Sequence, residues 1–257
     1  MVDVSVLLPT FNRPKWLVEA VDSVLSQEGC SFELLILDNG SGAETEAVMD
    51  GITDPRVKKF KAKTNGQFGL HWSYLAEQAS GKYLAPFTDD DRMLPGNISA
   101  KVAALRESGN PLVYSQAACM DENGADLGKA IGEGVTAFSD LFIVNSIPIV
   151  SCVFRSDFAS FLNQPFTVLN DWAALLEMAW YGDFLYLPEA TVKLRLHKLS
   201  DSSRNGVSEH LFLSDQLAIW KKWLREGYTP SEHQWDCMHS AWLLMADAQF
   251  GAIRGLA

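Results

Sequence analysis

Three consecutive carboxylates, Asp89, Asp90 and Asp91, follow the apolar run Tyr83-Leu84-Ala85-Pro86-Phe87-Thr88 and precede Arg92-Met93-Leu94-Pro95-Gly96-Asn97. A short buried strand ending in an acidic turn brings several oxygens to one point at a sheet edge, which suits a hard divalent cation held against phosphates. The same residues also suit a solvated acidic loop capping the helix after Pro95. Adjacent carboxylates repel one another, however, and a divalent ion relieves that repulsion. Asp38 closes a second apolar run, Phe32-Glu33-Leu34-Leu35-Ile36-Leu37. There a carboxylate can accept hydrogen bonds from a nucleoside, although Asp38-Asn39-Gly40 also reads as a plain turn. Asp171, in Leu169-Asn170-Asp171-Trp172, is either a helix cap or a proton acceptor. His197 follows Val192-Lys193-Leu194-Arg195-Leu196, as a surface histidine at a strand end or as a ligand. Arg195 beside it carries a guanidinium whose fork matches phosphate oxygens.

Alternating strands and helices must position these groups. Val4-Ser5-Val6-Leu7-Leu8 reads as a buried strand, punctuated by Thr10-Phe11-Asn12-Arg13-Pro14, with Pro14 near the first turn of a helix. Leu17, Ala20, Val21, Val24 and Leu25 recur at helical spacing, and 32–37 forms the next strand, completing a β-α-β unit. The pattern continues with a helix over 44–49, a strand over 57–61, a helix over 68–79 and the strand over 83–88. The expected fold class is α/β, a mixed and mostly parallel sheet flanked by helices with ligands near the strands' carboxyl ends. Further on come a helix to about 106, strands over 111–118 and 150–155, a helix over 170–180, and strands over 184–187 and 192–197. The polar, Gly- and Ser-containing stretch 198–206 reads as a mobile loop. Helices over about 209–226 and 232–253 end the chain. We expect one domain over 1–207, divided at 92/93 into a nucleotide half and an acceptor half, and a helical extension over 208–257.

Composition excludes several classes. The chain has 257 residues and 47% hydrophobic content, ample for a packed core. Its four cysteines, Cys30, Cys119, Cys152 and Cys237, show no CxxC spacing, so neither a zinc site nor a disulfide framework is expected. A formal net charge of -11 without a basic stripe argues against a nucleic-acid partner. Met1-Val2-Asp3 leads straight into a strand, and no run of 18 apolar residues occurs. A cytoplasmic location is expected, at the inner face of a membrane if the tryptophan-rich terminal helices dock there. Trp220, Trp223, Trp235 and Trp242 are read mostly as core, with a membrane face, a lipid-linked acceptor or a partner domain as the other reading.

Taken in order, Val4-Ser5-Val6-Leu7-Leu8-Pro9-Thr10-Phe11-Asn12-Arg13, Leu34-Leu35-Ile36-Leu37-Asp38-Asn39-Gly40-Ser41 and Gly81-Lys82-Tyr83-Leu84-Ala85-Pro86-Phe87-Thr88-Asp89-Asp90-Asp91 resemble family two glycosyltransferases of the GT-A fold. Asn170-Asp171-Trp172 is similar to that family's acidic pair followed by Trp, and Leu194-Arg195-Leu196-His197 to its Tyr-Arg-x-His segment. The resemblance covers about residues 3–200. It implies an inverting transfer of a sugar from a UDP- or dTDP-sugar to an acceptor hydroxyl in glycan or polysaccharide assembly. Pro9, Thr10 and Asp38 would hold the base, with Arg13 and Arg195 near the nucleotide and Asp89 facing the ribose. Asp90, Asp91 and His197 would hold Mn²⁺ or Mg²⁺, and Asp171 would be the catalytic base on a glycan, lipid-linked or protein acceptor. Asn39 stands where the family often has a second carboxylate, Thr88 where many members have the first Asp of their Asp-x-Asp signature, and Trp72 where Arg is frequent. Cation ligation therefore falls first to Asp90.

Two rival functions remain open on the residues. A metal-dependent nucleotidyltransferase also joins an α/β sheet to acidic ligands, but it usually carries an early Gly-rich phosphate cradle, and 8–13 contains no glycine. A catalytically inactive sugar-nucleotide or glycan-binding module would not need Asp90 and Asp171 together.

Overall fold

Every residue of the first two strands, β1 (Val4–Thr10) and β2 (Phe32–Asp38), is buried, as strands covered by helices on both faces must be. The computed structural model describes residues 2–62, 68–132, 134–166, 168–197 and 209–254. The expected loop over 198–206 and the domain boundary at 207/208 lie outside the described residues. Helix α1 (Pro14–Leu25) joins the two strands; proline opens it, and Leu17, Ala20, Val21 and Val24 form its buried stripe. Next come α2 (Ala43–Gly51), β3 (Val57–Lys61), α3 (Phe68–Glu77) and β4 (Tyr83–Pro86).

Strands β3, β2, β1 and β4 lie side by side and parallel. The registers run Val4↔Phe32 to Thr10↔Asp38 and Val4↔Tyr83 to Leu7↔Pro86. The carboxyl ends of β1, β2 and β4 therefore share one edge, and Asp38, Thr10 and the acidic turn meet there. After the turn the chain forms β5 (Arg92–Met93), α4 (Asn97–Ser108), β6 (Leu112–Met120), β7 (Asp126–Ile131), α5 (Phe138–Leu141), β8 (Val153–Arg155), α6 (Asn170–Ala179) and β9 (Leu185–Arg195). The strand order is β3-β2-β1-β4-β8-β6-β9-β5, with β7 beside β6. Pairing is parallel for β6–β9 and antiparallel for β4–β8, β6–β8, β6–β7 and β5–β9. This mixed sheet curls, so the acidic turn connects a central strand to β5 at the far end of the order and to β9 beside it.

Two differences from the sequence expectation have physical causes. The two strands expected over 184–187 and 192–197 are one strand, β9. Ser115 pairs with Leu187 and Ala117 with Val192, so the intervening residues bulge out of a single β9, as a proline requires. Strand β7 is exposed at all six positions and is held by backbone pairing to β6, so it has no apolar alternation to read.

The terminal helices α7 (Glu209–Arg225) and α8 (Glu232–Arg254) divide their tryptophans. Trp220 and Trp223 are buried in the main core, whereas Trp235 and Trp242 are about half exposed. Trp220 Nε1 donates to the Phe142 carbonyl at 2.6 Å, and Gln234 Nε2 donates to the Ser139 carbonyl at 2.7 Å.

Candidate active site

The loop after β1 and the turn after β4 are tied together by Asp89. Thr10 Oγ1 and the Phe11 amide donate to its Oδ2 at 2.7 and 3.2 Å. Arg13, the last residue before α1, donates from Nη1 to Asp89 Oδ1 and to Asp90 Oδ2, both at 2.9 Å. His197 Nε2 lies 2.8 Å from the same Asp90 Oδ2. Asp91 faces the other way: Thr88 Oγ1 donates to its Oδ2 at 2.5 Å and the Arg195 amide to its Oδ1 at 2.8 Å.

All three carboxylates are buried, and their environments set them apart. Burial pushes the Asp89 carboxyl up against the pull of Arg13. Burial and the Asp90 charge push Asp91 up further. Burial acts on Asp90 in the same sense, but His197 and Arg13 outweigh it and hold that carboxyl below its ordinary value. Of the three carboxyls, Asp90 therefore ionises most readily.

Arg195, which the resemblance places with the donor nucleotide, directs its guanidinium into the protein. Nε donates to the Asp90 carbonyl at 2.7 Å, Nη1 to the Glu122 carbonyl at 3.0 Å, and Nη2 to Glu19 Oε2 at 2.6 Å. Arg92 Nη2 reaches the same Glu19 oxygen at 2.6 Å. Trp16 lies beneath the whole group, 4.4 Å from the His197 ring centroid and 5.9 and 5.3 Å from the Arg13 and Arg195 guanidinium carbons. Sequence reasoning missed Trp16 and Glu19. Their signal was spacing, since Arg13, Trp16 and Glu19 recur every third residue along one side of α1. Trp72, standing where the resembling family often has Arg, donates Nε1 to the Leu7 and Phe87 carbonyls at 3.2 Å and braces β1 against the chain after β4.

Asp38 is buried beside this group, paired with Thr10 in the sheet register. Its Oδ1 accepts the Ser41 amide at 2.9 Å, the Asn12 amide donates to Ser41 Oγ at 3.0 Å, and Asn12 Oδ1 accepts the Gly42 amide at 2.8 Å. Asn12 adopts the left-handed region, φ 51°, to make these contacts. Beside them opens a cleft of about 300 Å³ lined by Asn12, Pro14, Gly42, Ala43, Glu44 and Thr45. Pro9, Thr10, Arg13, Asp38, Asp89, Asp90, Asp91, Arg195 and His197 are therefore gathered at one sheet edge.

Asp171 stands outside this hydrogen-bonded group, in the first turn of α6. Its Oδ1 accepts the Trp172 amide at 2.8 Å and its Oδ2 accepts Asn145 Nδ2 at 3.2 Å. Burial pushes its carboxyl up. Burial, opposed by Lys101 and joined by the Asp171 charge, raises the thiol of Cys152, which immediately precedes β8, the neighbour of β4.

Among the described residues no group of three or more His, Cys, Asp or Glu is arranged to hold a metal ion. Asp90 and His197 nevertheless offer a carboxylate and an imidazole at one point. Two such donors fit a Mn²⁺ or Mg²⁺ ion that takes its remaining ligands from a diphosphate and water.

The sequence model of Glycosyl transferase family 2 matches residues 5–156. A Campylobacter jejuni protein, GalNAc(5)-diNAcBac-PP-undecaprenol beta-1,3-glucosyltransferase, is 29% identical over 205 residues, covering 77% of this chain and 60% of its own length. An uncharacterized glycosyltransferase of Haemophilus influenzae is 22% identical over 204 residues, 78% of this chain and 82% of its own. The structure of S. aureus TarS 1–349 in complex with UDP-GlcNAc superposes with a TM-score of 0.73 at 16% identity, over 94% of this chain and 72% of that one. Mannosyltransferase PcManGT from Pyrobaculum calidifontis, in complex with GDP-Man and Mn2+, gives a TM-score of 0.63 at 13% identity, over 94% and 69%. These likenesses establish the GT-A fold.

Proposed function

The chain belongs to glycosyl transferase family 2, and from that premise we propose an inverting, cation-assisted transfer of a sugar from a UDP-sugar to a hydroxyl of a growing glycan. One observation carries the reading: Asp90 Oδ2 is shared by Arg13 and His197 at the edge where Asp38 ends β2. Asp38 and the backbone around Pro9 and Thr10 would hold the base, and Asp89 would face the ribose. Asp90 and His197 would hold Mn²⁺ or Mg²⁺, which when bound neutralises charge on the departing diphosphate. Asp91, which accepts from Thr88 and the Arg195 amide, would support the turn from behind and is left out of that donor set. Arg195 acts from behind, fixing the Asp90 carbonyl. Asp171 would accept the proton of the acceptor hydroxyl as that oxygen attacks the anomeric carbon opposite the leaving diphosphate, so the configuration inverts.

The donor is supported by the UDP-GlcNAc that TarS binds in its complex. A lipid-linked acceptor is supported by the undecaprenol-PP substrate in the name of the Campylobacter relative. No helix among the described residues is long and apolar enough to cross a membrane. A panel of UDP-, dTDP- and GDP-sugars, each with Mn²⁺ and with EDTA, tests the reading by thermal unfolding. We expect UDP-sugars with Mn²⁺ to raise Tm by several degrees and EDTA to cancel the rise. No shift with any nucleotide, or an equal shift in chelator, refutes it.

A further inference from the structure

Helix α6 begins without a side-chain cap of its own, at Leu169. The backbone N–H groups leading into it are taken by a carboxylate from elsewhere. Asp215, buried on α7, accepts the Val168 amide at 2.6 Å and the Leu169 amide at 3.2 Å through Oδ2. The next residue on α7, Gln216, donates from Nε2 to the Ile143 carbonyl at 3.3 Å. One helix thus holds both stretches of chain that meet at Asp171, the one before Asn170 and the one carrying Asn145. Asn145 is itself fixed: its Oδ1 accepts the Ile147 amide at 3.0 Å, which turns Nδ2 toward Asp171 Oδ2 at 3.2 Å.

We propose that Asn145 and Asp215 are positioning residues for the Asp171 carboxylate, Asp215 by anchoring the turn that launches α6 and Asn145 by fixing the carboxylate's rotation. The proposal rests on the reading of Asp171 as proton acceptor. Two further polar atoms belong to the same corner. Ser146 Oγ and Asn170 Oδ1, each next in sequence to a member of the Asn145–Asp171 pair, are buried and have no hydrogen-bond partner among the described residues. Buried polar atoms of this kind ordinarily find a partner, and the two segments that meet at Asp171 each carry one that does not. From the side of β8 the groups near this carboxylate are Cys152, whose thiol burial raises, and beyond it Lys101.

The test follows UDP release, with water as acceptor, from whichever of UDP-GlcNAc, UDP-glucose or UDP-galactose turns over fastest. Asn145→Ala and Asp215→Ala should each lower kcat about tenfold to a hundredfold with donor KM within about twofold, the size of a small misplacement of a reacting group. Asn145→Ala should also move the acid limb of the kcat profile to higher pH, because a carboxylate that loses a donor to its charged form becomes a weaker acid. Asp215→Asn keeps an oxygen acceptor for the Val168 amide and should recover most of the rate. UDP affinity by calorimetry reports whether each variant is folded, and Asp215→Asn with Asn145→Ala carries the test if Asp215→Ala does not bind UDP. The proposal is overturned if the folded variants keep kcat within about twofold and the limb unmoved while Asp171→Asn abolishes turnover. Full turnover in Asp171→Asn overturns the role of Asp171 itself, and that arm reports it separately.

Discussion

Three aspartates adjacent in sequence occupy three different chemical environments, and only one suits exchange with a ligand. Asp89 is held by a hydroxyl, an amide and Arg13, and Asp91 by a hydroxyl and an amide, whereas Asp90 meets Arg13 and His197. Both partners of Asp90 are side chains, and one of them, His197, is itself a donor that a cation could share with Asp90. Asp90→Asn should therefore lower Mn²⁺-dependent UDP affinity about tenfold or more, the usual cost of a lost ligand or its support. Asp91→Asn, whose amide can replace both internal contacts, should stay within about threefold; equal losses in calorimetry would assign Asp91 to the ligand set after all. Asp171 carries a pH prediction. Burial raises its carboxyl, so the fraction able to accept a proton grows only above the ordinary carboxylate range, and the acid limb of kcat should lie above about pH 4. A limb at or below that value would place the titrating group elsewhere. The acidic run and Asp38 were legible in the sequence because strand ends announce themselves by composition. The inward turn of Arg195 was not, since its partners Glu19 and Glu122 come from distant segments that no spacing rule connects.

The strands that position these residues are locked together at their opposite ends by a small polar box. Ser5 Oγ donates to Glu33 Oε1 at 2.6 Å, the Ser80 amide donates to the same oxygen at 2.7 Å, and Lys58 Nζ lies 2.6 Å from Oε2. Burial would raise the Glu33 carboxyl, but Lys58, Ser5 and Ser80 outweigh it and hold it at about 2. The unfolded chain, with an ordinary value near 4.5, then binds more protons between those two values. The Glu33 contribution is present above pH 4.5 and is lost as pH falls toward 2. The stability gap between wild type and Glu33→Gln, measured by urea unfolding, should accordingly narrow over that interval; a constant gap would refute the box. Gly81 closes the same corner, where an added Cβ would stand 2.5 Å from the Ser5 nitrogen and 2.7 Å from the Val4 carbonyl carbon. Backbone cannot yield as a side chain can, so Gly81→Ala should destabilise by about 1–3 kcal/mol. Strands β1, β2 and β4 of the parallel half were legible because each is a largely apolar run between turns. The second half was less so. Its pairing passes through the Pro188 bulge and the wholly exposed β7, both fixed by backbone hydrogen bonds and not by side-chain pattern.

At the scale of the whole molecule, the question is whether α7 and α8 are an appendage or part of the catalytic body. An appendage would touch the sheet domain through a replaceable apolar patch. Trp220 does more than that. It is 1% exposed in the main core, and its Nε1 satisfies the Phe142 carbonyl in the segment that runs on to Asn145. Removing the ring and removing only the donor should therefore have separable effects. Trp220→Ala should cost about 3–5 kcal/mol, as the loss of a large buried aromatic does. Trp220→Phe keeps most of the apolar surface and leaves the Phe142 carbonyl without its donor, a cost of about 1–3 kcal/mol. If the helices brace the chain around Asp171, Trp220→Phe should lower kcat for UDP release severalfold at a temperature where the protein is fully folded, with donor KM unchanged. The nucleotide end of the site shares no element with the Phe142–Asn145 segment, so KM has no reason to move. A purely structural helix pair would instead lower Tm and leave both constants as they were. A matched fall in kcat and in UDP affinity would also tell against the brace, because it would place the disturbance in the sheet edge that carries Asp38 and Asp90.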